Sequence, residues 1–185
     1  MKKGTEKNKL QICFMGGRQA GVIGALTVLA KDNDIVAAVS YSNDLKAVLD
    51  SLGIAVYKTI RDKDFIRSLT DADLLLSVHG REIVKSDMLK LPRFGAVNIH
   101  PYLYKYKGAD PVERAFRNGE FKASVGAHIM QKRVDEGPVL VENFVDVSGA
   151  GSVLEIYNKL YPYYAIVVSK ALDIISNKLV RNGQR

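Results

Sequence analysis

ADLLLSVHG, residues 72–80, is apolar almost without a break. A strand with one wet face alternates apolar and polar residues, so an unbroken run marks a strand covered on both faces, as in a parallel sheet. The sequence on either side agrees. LQICFMG (10–16) has the form of a buried strand, followed by a glycine turn and a helix over GGRQAGVIGALTVLAKD. DIVAAVSY (34–41) is a second strand, after which Ser42 or Asn43 can cap a short helix, NDLKAVLDSLG, that stops at Gly53. AVYKT (55–59) is a third strand and DKDFIRSL a further short helix. Strands alternating with helices define an α/β fold: a Rossmann-like, doubly wound and mostly parallel sheet.

Beyond residue 80 come a strand at FGAVNIHP, a helix at DPVERAFRNG, and two strands, KASVGAHIMQKRVD and GPVLVENFVDV, joined through a tight VDEG turn. That turn implies antiparallel strands at the C-terminal end of the sheet. Ser152 and Glu155 form a capping box that opens a C-terminal helix, which Pro162 is expected to kink or split. No repeat or linker interrupts the pattern. The expectation is one domain over residues 10–180, preceded by a flexible basic tail at 1–9.

The 185 residues are 47% hydrophobic and carry a net charge of +7. No apolar run reaches the roughly 18 residues of a membrane span, so no membrane partner is expected. The single cysteine, Cys13, excludes an internal disulfide and suits a buried thiol in a reducing, cytoplasmic setting. The positive charge suits anionic ligands. It is scattered, and RNP-type and zinc-finger patterns are absent, which argues against nucleic acid; no metal site is expected. The glycines at 16 and 17 do not make a dinucleotide fingerprint. Gly-x-Gly-x-x-Gly is missing, and Asp44 falls in the turn after the second strand rather than at its end. The same turn can still present backbone N–H groups and Arg18 to a phosphate.

Asn98 and His100 are poor residues for a strand interior. Two apart, they share a face, while Val97 and Ile99 point the other way, and Pro101 ends the strand. Ligands of open α/β sheets bind at that C-terminal edge. An imidazole base needs an orienting acid, and Asp135 stands in a turn beyond the next strand. Amide, imidazole and acid together suit acyl transfer to an amine: an oxyanion donor, a proton acceptor and a group that holds it.

Four segments carry a resemblance: NIHP (98–101), KYKG (105–108), SVGAH (124–128) and VDEGP (134–138). Together they resemble the folate-dependent formyltransferase family, in the order Asn-x-His-Pro, Tyr-x-Gly, Thr-Gly-Val-Thr-x-His and Asp-x-Gly. LLLSVHGREIVKSDMLKLP (74–92) is similar to that family's folate-binding segment. The resemblance is good over about residues 71–147 and architectural before that. It implies N10-formyltetrahydrofolate as cosubstrate, Asn98, His100 and Asp135 as the catalytic positions, and folate contacts at Val78, His79, Gly80, Arg81, Glu82, Ile83 and Val134. His128 matches a further family histidine and reads here as a half-buried strand residue.

The chain departs from the pattern. HPYLYKYKG is one residue shorter than the family's loop, with Tyr102 and Tyr104 in place of its serine and second proline, and Ser124 and Gly126 replace Gly and Thr. These changes spare the catalytic positions and bear on the acceptor. The first strand lacks the phosphate loop of a phosphoribosylglycinamide enzyme. The extra C-terminal domain of a methionyl-tRNA enzyme and the N-terminal domain of a formyltetrahydrofolate hydrolase are not expected. What the resemblance then implies is a sugar-nucleotide N-formyltransferase, its acceptor a nucleotide-linked amino sugar. Arg18, Lys105 and Lys107 would meet phosphates; Tyr102 and Tyr104 would stack on base or sugar. A homodimer would use the C-terminal helix or the sheet edge. The alternatives are a phosphoribosylglycinamide or methionyl-tRNA type formyltransferase and, from another class, a binding-only relative that senses folate or nucleotide.

Overall fold

The computed structural model describes residues 9–182. Seven strands form one sheet in the order β3-β2-β1-β4-β5-β6-β7. They are β1 (Gln11–Gly16), β2 (Asp34–Ser40), β3 (Val56–Tyr57), β4 (Leu74–Val78), β5 (Ala96–Pro101), β6 (Lys122–Ile129) and β7 (Val139–Asp146). β1 to β5 pair in parallel, and β6 and β7 are antiparallel to their neighbours, as the sequence pattern requires. Helices α1 (Arg18–Ala30), α2 (Asn43–Ser51), α3 (Lys63–Asp71), α4 (Pro111–Arg117) and α5 (Val153–Asn182) cover the sheet.

The pleat divides the core. On β1, Ile12 and Phe14 pack into one layer with Val28 of α1 and Leu160 and Val167 of α5. Cys13 and Met15 face the other way, against Phe65 and Leu69 of α3. Burial pushes the Cys13 thiol up to about 12, so it stays an inert core group. β4 is buried along its whole length, which accounts for its continuous apolar sequence.

Several boundaries differ from the sequence reading. Of the flexible basic tail expected at 1–9, residues 1–8 lie outside the described residues; Lys9 is described, and its side chain pairs with Asp32 at 2.8 Å. The third strand shrinks to two residues. Ser42 sits at the N-cap of α2 but does not cap it, since its hydroxyl accepts the Arg18 N–H at 3.0 Å and ties β2 to the start of α1. Ser152 does cap α5, accepting the Glu155 N–H at 3.2 Å, while Glu155 reaches back to the Gly151 N–H at 2.9 Å. Pro162 does not split α5, which runs on as one helix. Pro162 and Asn158, whose carbonyl loses its partner, are both exposed, so water can satisfy that carbonyl. Buried Tyr157, Leu160, Tyr164 and Val167 hold the two halves against the sheet.

The tight VDEG turn is also replaced. β6 ends at Ile129 and β7 starts at Val139, leaving a nine-residue loop, 130–138. Gly137 lets this loop close, since a Cβ there would stand 1.7 Å from the Ile129 carbonyl oxygen. Gly137→Ala is expected to cost about 3 kcal/mol or more and to displace Asp135, two residues away, read as a lowered Tm.

Candidate active site

Asn98 and His100 lie on one face of β5, as their spacing dictates, with Val97 and Ile99 buried behind. Antiparallel register sets His128 of β6 opposite Asn98 and Gly126 opposite His100. The 130–138 loop then folds back over this end of the sheet. Asp135, in the left-handed region at φ 55°, turns its carboxylate into the gap.

That carboxylate gathers four groups. Oδ1 lies 3.2 Å from Asn98 Nδ2 and 3.2 Å from His128 Nε2. Oδ2 lies 3.0 Å from His100 Nε2 and accepts the Gly108 N–H at 2.8 Å. Burial opposes the charge on Asp135. The hydrogen bonds from His100 and His128, the His100 charge and the Gly108 N–H outweigh it and hold the carboxyl well below the usual carboxylate range. Asp135 is therefore an anion throughout the working pH range.

Proton accounting follows from the partners. His100 Nε2 also faces the Gly108 carbonyl at 3.1 Å. Two acceptors around one nitrogen require that nitrogen to carry hydrogen, which leaves the lone pair of neutral His100 on Nδ1. Nδ1 is buried and has no partner among the described residues. His128 Nε2, which donates to Asp135 Oδ1, also lies 3.3 Å from Asn98 Nδ2, and its Nδ1 lies 3.1 Å from the Ile129 carbonyl oxygen. His128 is fully buried and part of the constellation rather than a half-buried strand residue. Only the β5–β6 register, invisible in a single sequence, puts it there.

The constellation opens into a cavity of about 650 Å³. Of the residues implied as folate contacts, His79, Gly80, Arg81, Glu82, Ile83 and Val134 border it, with Ile83 and Val134 exposed. Val78 does not; it is buried, and a Cβ on Gly24 of α1 would come within 2.8 Å of its Cγ2. Glu82 is at the rim, but its carboxylate is already taken by the Tyr41 hydroxyl at 2.9 Å, the Thr59 hydroxyl at 2.6 Å and the Ile60 N–H at 3.2 Å. It anchors the 79–84 segment to the ends of β2 and β3.

The residues expected to bind the acceptor divide. Arg18 borders the cavity. Tyr102, Tyr104, Lys105 and Lys107 do not, because the shortened loop packs into and over the sheet. Tyr102 is wholly buried, its hydroxyl donating to the Glu120 carbonyl at 3.1 Å. The Tyr104 hydroxyl donates to the Lys122 carbonyl at 2.6 Å, and its ring lies 5.3 Å from that of Phe144. Lys105 pairs with Glu120, and Lys107 is exposed, its carbonyl accepting from Arg114. The two departures on β6 serve this packing. A Cβ on Gly126 would meet Leu103 Cδ2 at 2.6 Å, and Ser124 donates to Glu142 at 2.6 Å, whose same oxygen accepts the Tyr104 N–H at 3.0 Å. The cavity instead takes Asp110 and Tyr157, which the sequence reading missed.

His79 is the third histidine of the cavity. Burial, then the charges of Arg18, His100 and Arg81, lower its imidazole from 6.5 to about 4. In the unfolded chain it binds a proton near pH 6.5, so its contribution is intact above that pH and is lost as the pH falls toward 4. Between pH 7 and pH 5 the loss is about 2 kcal/mol, at about 1.4 kcal/mol per unit. Denaturant titrations of His79→Gln are expected to show a correspondingly flatter stability across that interval.

The chain belongs to the formyl transferase family, whose model matches residues 5–178. Methionyl-tRNA formyltransferase of Fusobacterium nucleatum subsp. nucleatum is 24% identical over 164 residues, covering 86% of this chain and 53% of that protein. The chain spans about half the length, or less, of the first curated relatives it matches. Among solved structures, phosphoribosylglycinamide formyltransferase from Anaplasma phagocytophilum superposes with a TM-score of 0.78 at 19% identity, over 92% of this chain and 89% of that one. WlaRD, a sugar 3N-formyl transferase solved in the presence of dTDP and 5-N-formyl-THF, gives 0.72 at 17% identity, over 92% and 64%. These likenesses establish the formyltransferase fold. No helix among the described residues is long and apolar enough to cross a membrane.

Proposed function

We propose that the protein transfers a formyl group from N10-formyltetrahydrofolate to the amine of a nucleotide-linked amino sugar. The observation that carries this reading is the Asp135 carboxylate, which joins Asn98, His100 and Gly108 into one charged, buried cluster at the floor of the cavity. The acceptor amine attacks the formyl carbon and a C–N bond forms. The carbonyl oxygen becomes an oxyanion, and Asn98 Nδ2 gives up one of its present contacts, to Asp135 or His128, to donate to it. A donor of this kind is worth about 100- to 1000-fold in rate. Neutral His100, its Nε2–H held by Asp135, takes the amine proton on Nδ1, which is buried in the free protein and which acceptor binding has to uncover. The bond to N10 breaks, and the proton taken by His100 is passed on to N10 as tetrahydrofolate leaves. Folate lies along residues 80–84 and Val134, where exposed Ile83 and Val134 offer apolar cover and Arg81 a positive charge. The acceptor enters past Arg18, Asp110 and Tyr157.

Formyl transfer to methionyl-tRNA is the second reading, favoured by the relatives of that name. One assay separates the two. Tetrahydrofolate release is followed with N10-formyltetrahydrofolate and, in turn, dTDP-, UDP- and GDP-linked amino sugars, methionyl-tRNA and glycinamide ribonucleotide. Turnover confined to a sugar nucleotide is the expected result. Turnover with methionyl-tRNA alone would replace the acceptor, and folate binding with no turnover on any acceptor would make the chain a sensor.

A further inference from the structure

The His79 ring is fixed by a group outside the reaction just described. Its Nε2 lies 2.7 Å from the hydroxyl of Tyr164 on α5. Tyr164 is fully buried, and His79 is the hydroxyl's partner among the described residues. A buried O–H with no acceptor costs about 1–3 kcal/mol. If Nε2 carried the hydrogen, the phenol hydrogen would be left without an acceptor. Tyr164 therefore donates to Nε2, and neutral His79 carries its own hydrogen on Nδ1. The rings of Tyr157 and Tyr164 hold the imidazole edge-on, with centroids at 5.6 and 5.4 Å.

Two further facts point into the cavity. His79 has φ 57°, a left-handed conformation that costs a non-glycine residue of order 1–3 kcal/mol and that functional sites tolerate. Nδ1 has no partner among the described residues and, unlike His100 Nδ1, is not sealed from solvent. On the same wall the Arg18 guanidinium stands 5.9 Å from the centre of the Tyr157 ring. Both Arg18 and His79 Nδ1–H are donors, so they suit an oxygen-rich, anionic group.

We propose that His79, locked by Tyr164 as a neutral Nδ1–H donor, acts with Arg18 to hold a phosphate oxygen of the acceptor. This rests on the nucleotide-linked acceptor proposed above. A neutral donor has a physical advantage here, since a second positive charge close to His100 would oppose its taking the amine proton. His79 is a binding and positioning residue and takes no proton in the reaction.

The test uses the full chain labelled with ¹⁵N-histidine. Long-range ¹H–¹⁵N spectra at pH 7 are expected to show His79 as the Nδ1–H tautomer, and dTDP to shift that nitrogen. Tyr164→Phe should return His79 to the mixture of tautomers seen in free imidazole, with folding checked by thermal unfolding. His79→Ala, which does not depend on Tyr164, and Arg18→Ala should each weaken dTDP binding about tenfold, as expected for one lost hydrogen bond. His79→Gln, which keeps an N–H, should recover most of it, and affinity for 5-formyltetrahydrofolate should hold within about twofold in all three. An Nε2–H tautomer in the wild type, or dTDP affinity untouched by His79→Ala, overturns the inference. If the wild type binds none of dTDP, UDP and GDP, the nucleotide reading fails on its own. Inorganic phosphate then becomes the probe, and a His79 Nδ1 signal that it does not move overturns the donor role as well.

Discussion

His100→Ala is expected to lower kcat for tetrahydrofolate release by about 100- to 10,000-fold, the range of general acid–base assistance. The variant removes the one imidazole whose Nε2 lies within 3.0 Å of Asp135 and whose Nδ1 has no partner among the described residues. A buried nitrogen left unpaired is costly to a folded protein, and the proton-accepting role proposed above would account for it here. Asp135 retains Asn98, His128 and the Gly108 N–H, so the fold should survive with a loss of about 1–3 kcal/mol. His100→Gln separates the two roles of the ring. Its amide can still donate to Asp135, but it takes no proton at neutral pH, so it should recover Tm and not kcat. Unchanged turnover in His100→Ala would remove His100 from the mechanism.

Asp135→Asn is expected to be more damaging, with kcat down about 1000-fold or more. Replacing the carboxylate that orients a catalytic histidine with an amide has cost about 10,000-fold in the best-studied case. The local reason is a mismatch of donors. Asn98 and His128 surround one Asp135 oxygen, and His100 and Gly108 the other. An amide has one accepting end, so one pair must face an NH₂ group, and the buried negative charge that favours a protonated His100 is gone. Breaking a buried network of this kind costs about 3–5 kcal/mol. The pH dependence should change as well. The wild-type carboxyl is held below its unfolded value of 3.8, so its contribution is complete above about pH 4 and is lost as the pH falls below that. The variant's acid unfolding should lack that limb. Wild-type kcat in Asp135→Asn would show that His100 orients itself without the carboxylate.

The sheet was readable because burial on two faces leaves a composition that cannot be mistaken, as in Leu74 to Val78. Asn98 and His100 were readable because a polar pair at period two on an apolar strand has no packing explanation. Asp135 was reached through family resemblance more than through local signal. A turn carboxylate looks the same whether it meets water or three side chains. The acceptor-side reading failed on a matter of direction. Tyr102 and Tyr104 follow the catalytic strand closely, yet a left-handed turn at Tyr102, φ 53°, sends the loop into the core. Composition records that Tyr102 is aromatic; only three-dimensional packing against Glu120 and the β6 face decides that it is structural. Tyr157, which borders the cavity, and Tyr164, which bonds His79 from behind it, lie more than 50 residues downstream of His100 and arrive there because α5 crosses back over the sheet, which nothing in their local sequence announces.

Gly108 sits at φ 80° and offers both of its backbone groups to the centre, its N–H to Asp135 and its carbonyl to His100. The last residue of the loop that sets this chain apart from its family's pattern is thus bonded to both Asp135 and His100. In engineering terms the loop is not a cassette. Grafting a longer version from a relative to change acceptor preference would first have to return this one peptide unit to its place, and a graft that missed by an ångström would look like a failure of chemistry while being a failure of splice length.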